Sequence, residues 1–238
     1  MKCITTGSLI AVSLSLLPSL ALGGDAVSDL TKQARWECLK GRAAKERSAR
    51  LGHFQQGQAL AERAVASDEQ YADAHFALFC NLGEQLRIDG ESVTSVFGFR
   101  RMMNELDRTL ELEPGHLDAL SAKGTLLVKL PVILGGDQEQ GAVLLQHVIK
   151  KEPKAVNARL ALARVRCEHG QHGEAVTLAS DALTIARKHR RIEFIPEAKA
   201  VLRQIRTNAA KPHRTVLRRQ PSNGIPPSDE GKVPTLRG

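Results

Sequence analysis

Ala72-Asp-Ala-His-Phe-Ala-Leu-Phe79, Leu117-Asp-Ala-Leu-Ser-Ala-Lys-Gly124 and Val156-Asn-Ala-Arg-Leu-Ala-Leu-Ala163 lie over one another in a single register. Each follows a helix-ending segment, at Asp68-Glu69, Glu113-Pro114 and Glu152-Pro153. Proline stops a helix because it lacks the N–H donor and collides with the preceding turn. The three stretches are therefore an internal repeat of helix pairs. Such units bury their apolar faces only by stacking on one another. The chain is predicted to be all-α, a right-handed helix-turn-helix repeat solenoid of about four pairs plus a C-terminal capping helix. Solenoids of this kind act by holding another molecule, which points to an interaction protein and away from an enzyme.

Outward from the repeat, the pattern reads as helical from Trp36 to about Arg50, is broken at Gly52-His53, and resumes from Gln56 to Ala66. Ser67-x-x-Gln70 has the form of a capping box for the next helix. The two middle units are long. Glu69 to Pro114 spans 45 residues and Pro114 to Pro153 spans 39, against 34 in the final pair. The surplus falls in two insertions, Leu86-Arg-Ile-Asp-Gly-Glu-Ser92 and Leu130-Pro-Val-Ile-Leu-Gly-Gly-Asp137, expected side by side on one edge. In the second, Asp137 and Gln140 have the spacing of an N-cap pair. The carboxylate then takes the N–H donors a phosphate would need, so a shaped turn is predicted over an anion site. Ile192 to Thr207 forms one more amphipathic helix, with Pro196 in its first turn and Ile195, Ala198, Val201, Leu202 and Ile205 on one face. It is expected to cap the stack.

The ends have a different character. Met1-Lys2, the apolar run Leu9 to Leu17 and Ala21-Leu22-Gly23 form a signal-peptide pattern, so residues 1–23 are read as cleaved on export to a periplasmic or extracellular site. Residues 24–34 read as a flexible lead-in, 35–207 as the repeat domain and 208–238 as a disordered, proline-rich basic tail. The chain's net charge of +8 is carried by its end. Residues 1–186 hold 21 Lys and Arg against 22 Asp and Glu, while residues 187–238 hold 13 against 4. The basic stretch 187–238 has one aromatic, Phe194, for stacking on bases, so nucleic acid is not expected as a partner. Stable membrane insertion after signal cleavage is not expected either.

Chemistry-bearing motifs are sparse. No Gly-x-Ser-x-Gly elbow, phosphate loop or His-Glu-x-x-His helix is present. Cys167-Glu-His169-Gly-Gln-His172 offers zinc-type ligands but lacks a fourth at a recognised spacing, and reads as a solvated turn. His53 is placed in the first pair's turn, and His75 and His147 on helices. No cofactor or metal is expected. Beyond Cys3, the cysteines Cys38, Cys80 and Cys167 are predicted to remain thiols. The register sets Cys38 and Cys80 about eight positions, roughly 12 Å, apart along the axis. They are the one pair worth testing, because the register of the first pair is the least defined.

Gly57, Ala61 and Ala64 in the first pair, and Ala163 and Gly170 followed by Ala175, Ala179 and Ala182 in the last, put small residues where helices touch. In this the chain resembles the tetratricopeptide repeat family. The two insertions, the second with Leu130-Pro131 and Gly135-Gly136-Asp137 and the first with Asp89 to Phe99, resemble a narrower group. That group comprises the T-component of periplasmic TRAP transporters and the regulators of microtubule dynamics. The family resemblance implies a concave groove lined by first helices. Carrying its outward positions over gives Asp73, Phe76, Cys80 and Glu84, then Asp118, Ser121 and Thr125, then Asn157, Leu160, Arg164 and Cys167. The Lys and Arg clamp that family members use for C-terminal carboxylates is missing, which leaves Arg164 as the single cation of the set. The implied function is an exported, non-enzymatic scaffold that binds protein partners through this groove, with self-association left open. The alternative is a periplasmic accessory of a TRAP-type uptake system that contacts a solute-binding protein or a small ligand.

Overall fold

The computed structural model describes residues 24–89 and 94–210. Within them the chain forms four antiparallel helix pairs and a closing helix, with no strand among the described residues. The pairs are α1 (Gly24–Ala43) with α2 (Arg47–Ser67), α3 (Ala72–Asp89) with α4 (Thr94–Leu112), α5 (Leu117–Lys129) with α6 (Gln138–Lys151), and α7 (Val156–Glu168) with α8 (His172–Lys188). The closing helix is α9 (Ile195–Ala210). Each helix packs on the next in sequence, and α1 with α3, α5 with α7 and α7 with α9 also pack together. This is an all-α solenoid, as the repeat predicts.

The repeat has a plain physical basis. Ala74, Ala119 and Ala158 hold the third place in the three aligned stretches, and all are fully buried. A methyl side chain there lets neighbouring helices approach. Elsewhere even a methyl is too large. The α5–α6 crossing sets Gly124 against Gly141 so closely that a Cβ on Gly124 would meet the Gly141 carbonyl oxygen at 3.1 Å and Leu145 Cγ at 3.0 Å. At the far end, α9 lays Ala198, Val201, Leu202 and Ile205 over Ala175, Ala179, Ala182 and Ala186 of α8, closing the apolar face of the last pair.

Three expectations for the first pair are corrected. Residues 24–34 are no lead-in. They form the first half of α1, and Val27, Leu30, Thr31 and Ala34 make a buried stripe against α2 and α3. The break between α1 and α2 falls before Arg47, so Gly52 and His53 lie inside α2. A glycine facing open space costs the helix only backbone entropy, and Gly52 has no atom near its missing Cβ. His53 Nδ1 is instead 2.7 Å from Glu37 Oε2 across the pair. Ser67 does not cap α3 either. Its hydroxyl donates back to the Arg63 carbonyl, while Asp68 accepts from the Gln70 N–H at 2.9 Å and shapes the turn. At the other end α9 runs to Ala210, three residues past the expected limit, and the tail from residue 211, like residues 1–23 and 90–93, lies outside the described residues.

The second insertion is a shaped turn, as expected. A 3-10 turn over Val132–Leu134 is followed by Gly135 in the left-handed region, φ 85°. Gly136 sits against the Leu130 carbonyl, where a Cβ would collide with backbone. Asp137 then N-caps α6 by accepting from the Gln140 N–H at 2.9 Å.

One polar staple inside the stack gives a pH dependence. His75, nearly buried, has Nδ1 2.7 Å from Glu105 Oε2 and Nε2 3.1 Å from the Glu69 carbonyl, tying α3 to α4. The Glu105 bond lifts the imidazole's pKa above its ordinary value, outweighing burial, and the Glu69 carbonyl adds to the rise. A raised folded pKa means that the contribution is full below the unfolded value of about 6.5 and is lost as pH climbs through the folded value. Urea stability should therefore fall as pH rises above about 6.5, and Glu105→Gln should flatten that fall. An unchanged slope in the variant would assign the dependence to another group.

Candidate functional site

Long-range ion pairs join the polar edges of α1, α3 and α5, and those of α7 and α9. Arg35 on α1 donates through Nη1 to Asp73 on α3 at 3.0 Å and through Nη2 to Asp118 on α5 at 3.1 Å. One guanidinium thus bridges three successive first helices. Beneath it, the Phe76 ring lies 4.8 Å from the His116 imidazole and 5.7 Å from Phe79, with the Arg35 guanidinium 5.9 Å above. His116 Nδ1 accepts the Ala119 N–H and so N-caps α5, which leaves the ring proton on Nε2 facing Asp73 at 3.3 Å. That bond, together with the charge of Arg35, holds the Asp73 carboxyl below the usual carboxylate range against the opposing effect of burial.

Further along the same edges, Glu84 is buried between two arginines. Arg42 Nε donates to Glu84 Oε1 at 2.7 Å and Arg87 Nη1 to the same oxygen at 3.2 Å. Arg164 on α7 pairs with Glu197 on α9 at 2.9 Å. Between these lies an open cleft of about 370 Å³, bounded by the end of α5, the second insertion, the start of α6 and α7, with Lys129, Gln138, Arg164 and Glu168 among its walls. Among the described residues Lys129 has no ion pair. Lys129 is solvent-exposed at the cleft; the crowding of protein around it lowers its pKa first, the Arg164 and Arg87 charges lower it further, and Glu197 and Glu84 oppose them.

Of the eleven positions carried over for the groove, four are not available to a partner. Phe76, Glu84, Leu160 and Cys167 are buried, at 7%, 4%, 1% and 8% exposure. Asp73 and Arg164 are partly open but occupied by ion pairs within the chain, and Asp118 is open on one side of its Arg35 bond. Ser121, Thr125, Asn157 and Cys80 remain accessible to varying degrees. The face also holds Arg35, Arg42, Arg87 and Lys129, so Arg164 is not its only cation. Arg35 lies ahead of the helix start at Trp36 that the sequence pattern suggests, and Arg42 lies in the first pair, which the three aligned stretches do not reach. Their spacing of seven, two turns on one helix face, was the available signal.

The suspected metal turn is dispersed. Cys167 Sγ is 3.7 Å from His172 Nδ1, but His169 turns away to the Gln138 side chain at 3.2 Å. The thiol–imidazole pair is not arranged for nucleophilic catalysis. Asn208 Nδ2 points at the sulfur, at 3.9 Å, and does not orient the imidazole. The sulfur also sits in the last turn of α7, where free backbone groups are carbonyls and cannot cradle an oxyanion.

No protein-family model matches the chain, and the search of curated proteins returned no match. Solved structures with a similar fold include MamA, residue 41 to the end, from Desulfovibrio magneticus RS-1. It is 16% identical, covers 77% of this chain and 93% of its own, and has a TM-score of 0.43. YrrB, described as a TPR protein with an unusual peptide-binding site, is 14% identical over 78% of this chain and 89% of its own, with a TM-score of 0.38. Yeast Tom70 is 19% identical over 79% of this chain and 42% of its own, with a TM-score of 0.39. At such TM-scores the likeness says nothing about site or partner.

Proposed function

We propose that the protein is a helical-repeat scaffold that holds an extended protein segment along its concave groove, acting outside the cytoplasm after export. The observation that carries the groove reading is the open cleft beside Lys129, an exposed cation that has no ion pair among the described residues and feels the charges of Arg87 and Arg164 as well as those of Glu84 and Glu197. A charge in that position is relieved by an anion from outside, so acidic groups of the partner belong at this edge. The Arg35 bridge across α1, α3 and α5 closes part of this edge internally, which favours a single extended strand of chain over a folded domain. The cleft is open and walled partly by charged side chains, unlike the closed apolar pocket that a small solute would need. Export is supported by the pattern of residues 1–23 alone.

A photo-reactive residue placed at Ser121 or Thr125 should cross-link to protein partners in the exported fraction, and the same residue at Val143, on the outer surface of α6, should not. Lys129→Glu should lower the Ser121 yield several-fold. Equal yields from Val143 would remove the groove as the binding surface, and a chain retained in the cytoplasm would remove export. Truncation should follow Ala210, which keeps α9 whole and tests the basic tail separately.

A further inference from the structure

Cys38 and Cys80 are not separated along the axis, as the sequence register implied. The helix contacts around them set a different alignment. Arg35 meets Asp73, and Arg42 meets Glu84 at 2.7 Å, so α1 and α3 run in the same direction side by side. Cys38 lies one turn before Arg42, and Cys80 one turn before Glu84. Between these contacts, Asn81 Nδ2 donates to the Ala34 carbonyl at 3.2 Å, and both residues are fully buried, so the helices approach closely at this level. The cysteines thus face each other across the contact, near enough that each thiol shifts the ionisation of the other. Cys38 is 3% exposed, whereas Cys80 is partly open.

We propose that Cys38 and Cys80 form an oxidisable dithiol whose disulfide links α1 to α3 in the wall of the groove, closed by exchange with an external disulfide. In the first step the Cys80 sulfur, which is the accessible one, bonds to one sulfur of the oxidant. The oxidant's S–S bond breaks, and its other sulfur leaves as a thiol with the Cys80 proton. In the second step Cys38 attacks the Cys80 sulfur of this mixed disulfide and expels the remaining thiol, which takes the Cys38 proton. Two protein thiols are oxidised and one external disulfide is reduced to two thiols. Its partial exposure, not its acidity, gives Cys80 the first step, which is the slow one: the Cys38 thiol and burial push the Cys80 thiol well above its usual range. In the free dithiol the bond from Cys80, then the charges of Arg42 and Arg35, hold the Cys38 thiol below its usual range against burial and the nearby Glu84; once Cys80 is in the mixed disulfide that bond is gone, and the two arginine charges are what favour ionisation of Cys38. A thiolate at Cys38 is the nucleophile the second step needs.

The test treats the full chain, folded, with oxidised glutathione and maps its four cysteines by mass spectrometry after tryptic digestion. The expected product joins residues 36–40 to residues 64–87 through Cys38 and Cys80, with the helical circular dichroism retained and Cys167 unpaired. Cys38→Ser should instead accumulate the glutathione adduct on Cys80, because the resolving thiol is gone, and Cys167→Ser should leave the joined peptide at full yield. Three results would overturn the proposal: a Cys38–Cys80 bond that forms only as the helical signal is lost, pairing of either residue with Cys3 or Cys167, or a folded wild-type chain that keeps the glutathione adduct.

Discussion

Glu84→Ala is expected to lower stability by about 3 kcal/mol, most of it through the arginine left behind. The Glu84 side chain is 5% exposed and accepts from both Arg42 and Arg87. Arg87 is 73% exposed and returns to water at little cost. Arg42 cannot. Its side chain is 33% exposed and lies beside Cys38 and Cys80, and although burial works against its charge, those two groups and Glu84 together raise its pKa above the ordinary value. Breaking a buried pair by removing one partner costs about 3–5 kcal/mol, and partial access of Arg42 to solvent puts this case at the lower limit. Urea unfolding should show the loss as a lower midpoint at unchanged slope. A lower slope would mean that the first two pairs have uncoupled from the rest, which stacked repeats permit. Arg42→Met in the Glu84→Ala background should restore much of the loss. A single-variant loss below about 1 kcal/mol would show that Arg42 finds water after all.

The unequal legibility of the sequence has a physical cause. The starts of α3, α5 and α7 at Ala72, Leu117 and Val156 coincide with the aligned stretches, because Pro114 and Pro153 and the buried alanines act locally. The first pair has no such punctuation. Its chain reversal lies at Ala44-Lys45-Glu46, residues of good helix propensity, and is imposed by tertiary packing. Gly52 looked like a breaker and lies within a helix. The stripe Val27, Leu30, Thr31, Ala34 and Cys38 was nonetheless visible at helical spacing, and reading it would have placed Arg35 and Arg42 on the groove.

The groove itself was half legible for a related reason. The register sets Asp73, Asp118 and Arg164 on the edges of first helices, and their ion pairs all cross between first helices or to α9. It does not say how tightly the stack winds. Because Arg35 reaches α5, partners 83 residues apart in sequence satisfy one another, and side chains expected to meet a ligand meet the protein instead. What is left over at that face, the Lys129 cleft, is visible only once the internal pairs have been accounted for.

Phe54→Ala should cost about 3–5 kcal/mol, the second large effect. Phe54 is fully buried on α2, and its ring lies on the backbone of α1 at Gly41, in the space that a Cβ on Gly41 would occupy. The ring is therefore the spacer that sets the α1–α2 distance. Its removal leaves a cavity next to a residue with no side chain, so neither helix can fill the space without moving the other. Movement is opposed on two sides. Asn81 ties α3 to the Ala34 carbonyl of α1, and the Glu37–His53 contact ties α1 to α2. The cavity should persist, which places the cost in the range for unrelaxed aromatic deletions. Phe54→Leu, which keeps part of the volume, should lose less than half as much, and a double variant with Gly41→Ala should recover stability relative to Phe54→Ala because the new methyl enters the vacated space. If the double variant is less stable than Phe54→Ala alone, the ring is not what holds the two helices apart. Hydrogen exchange should place the loosening in α1 and α2 and leave α7 to α9 protected, because stacked repeats transmit stability mainly to their neighbours.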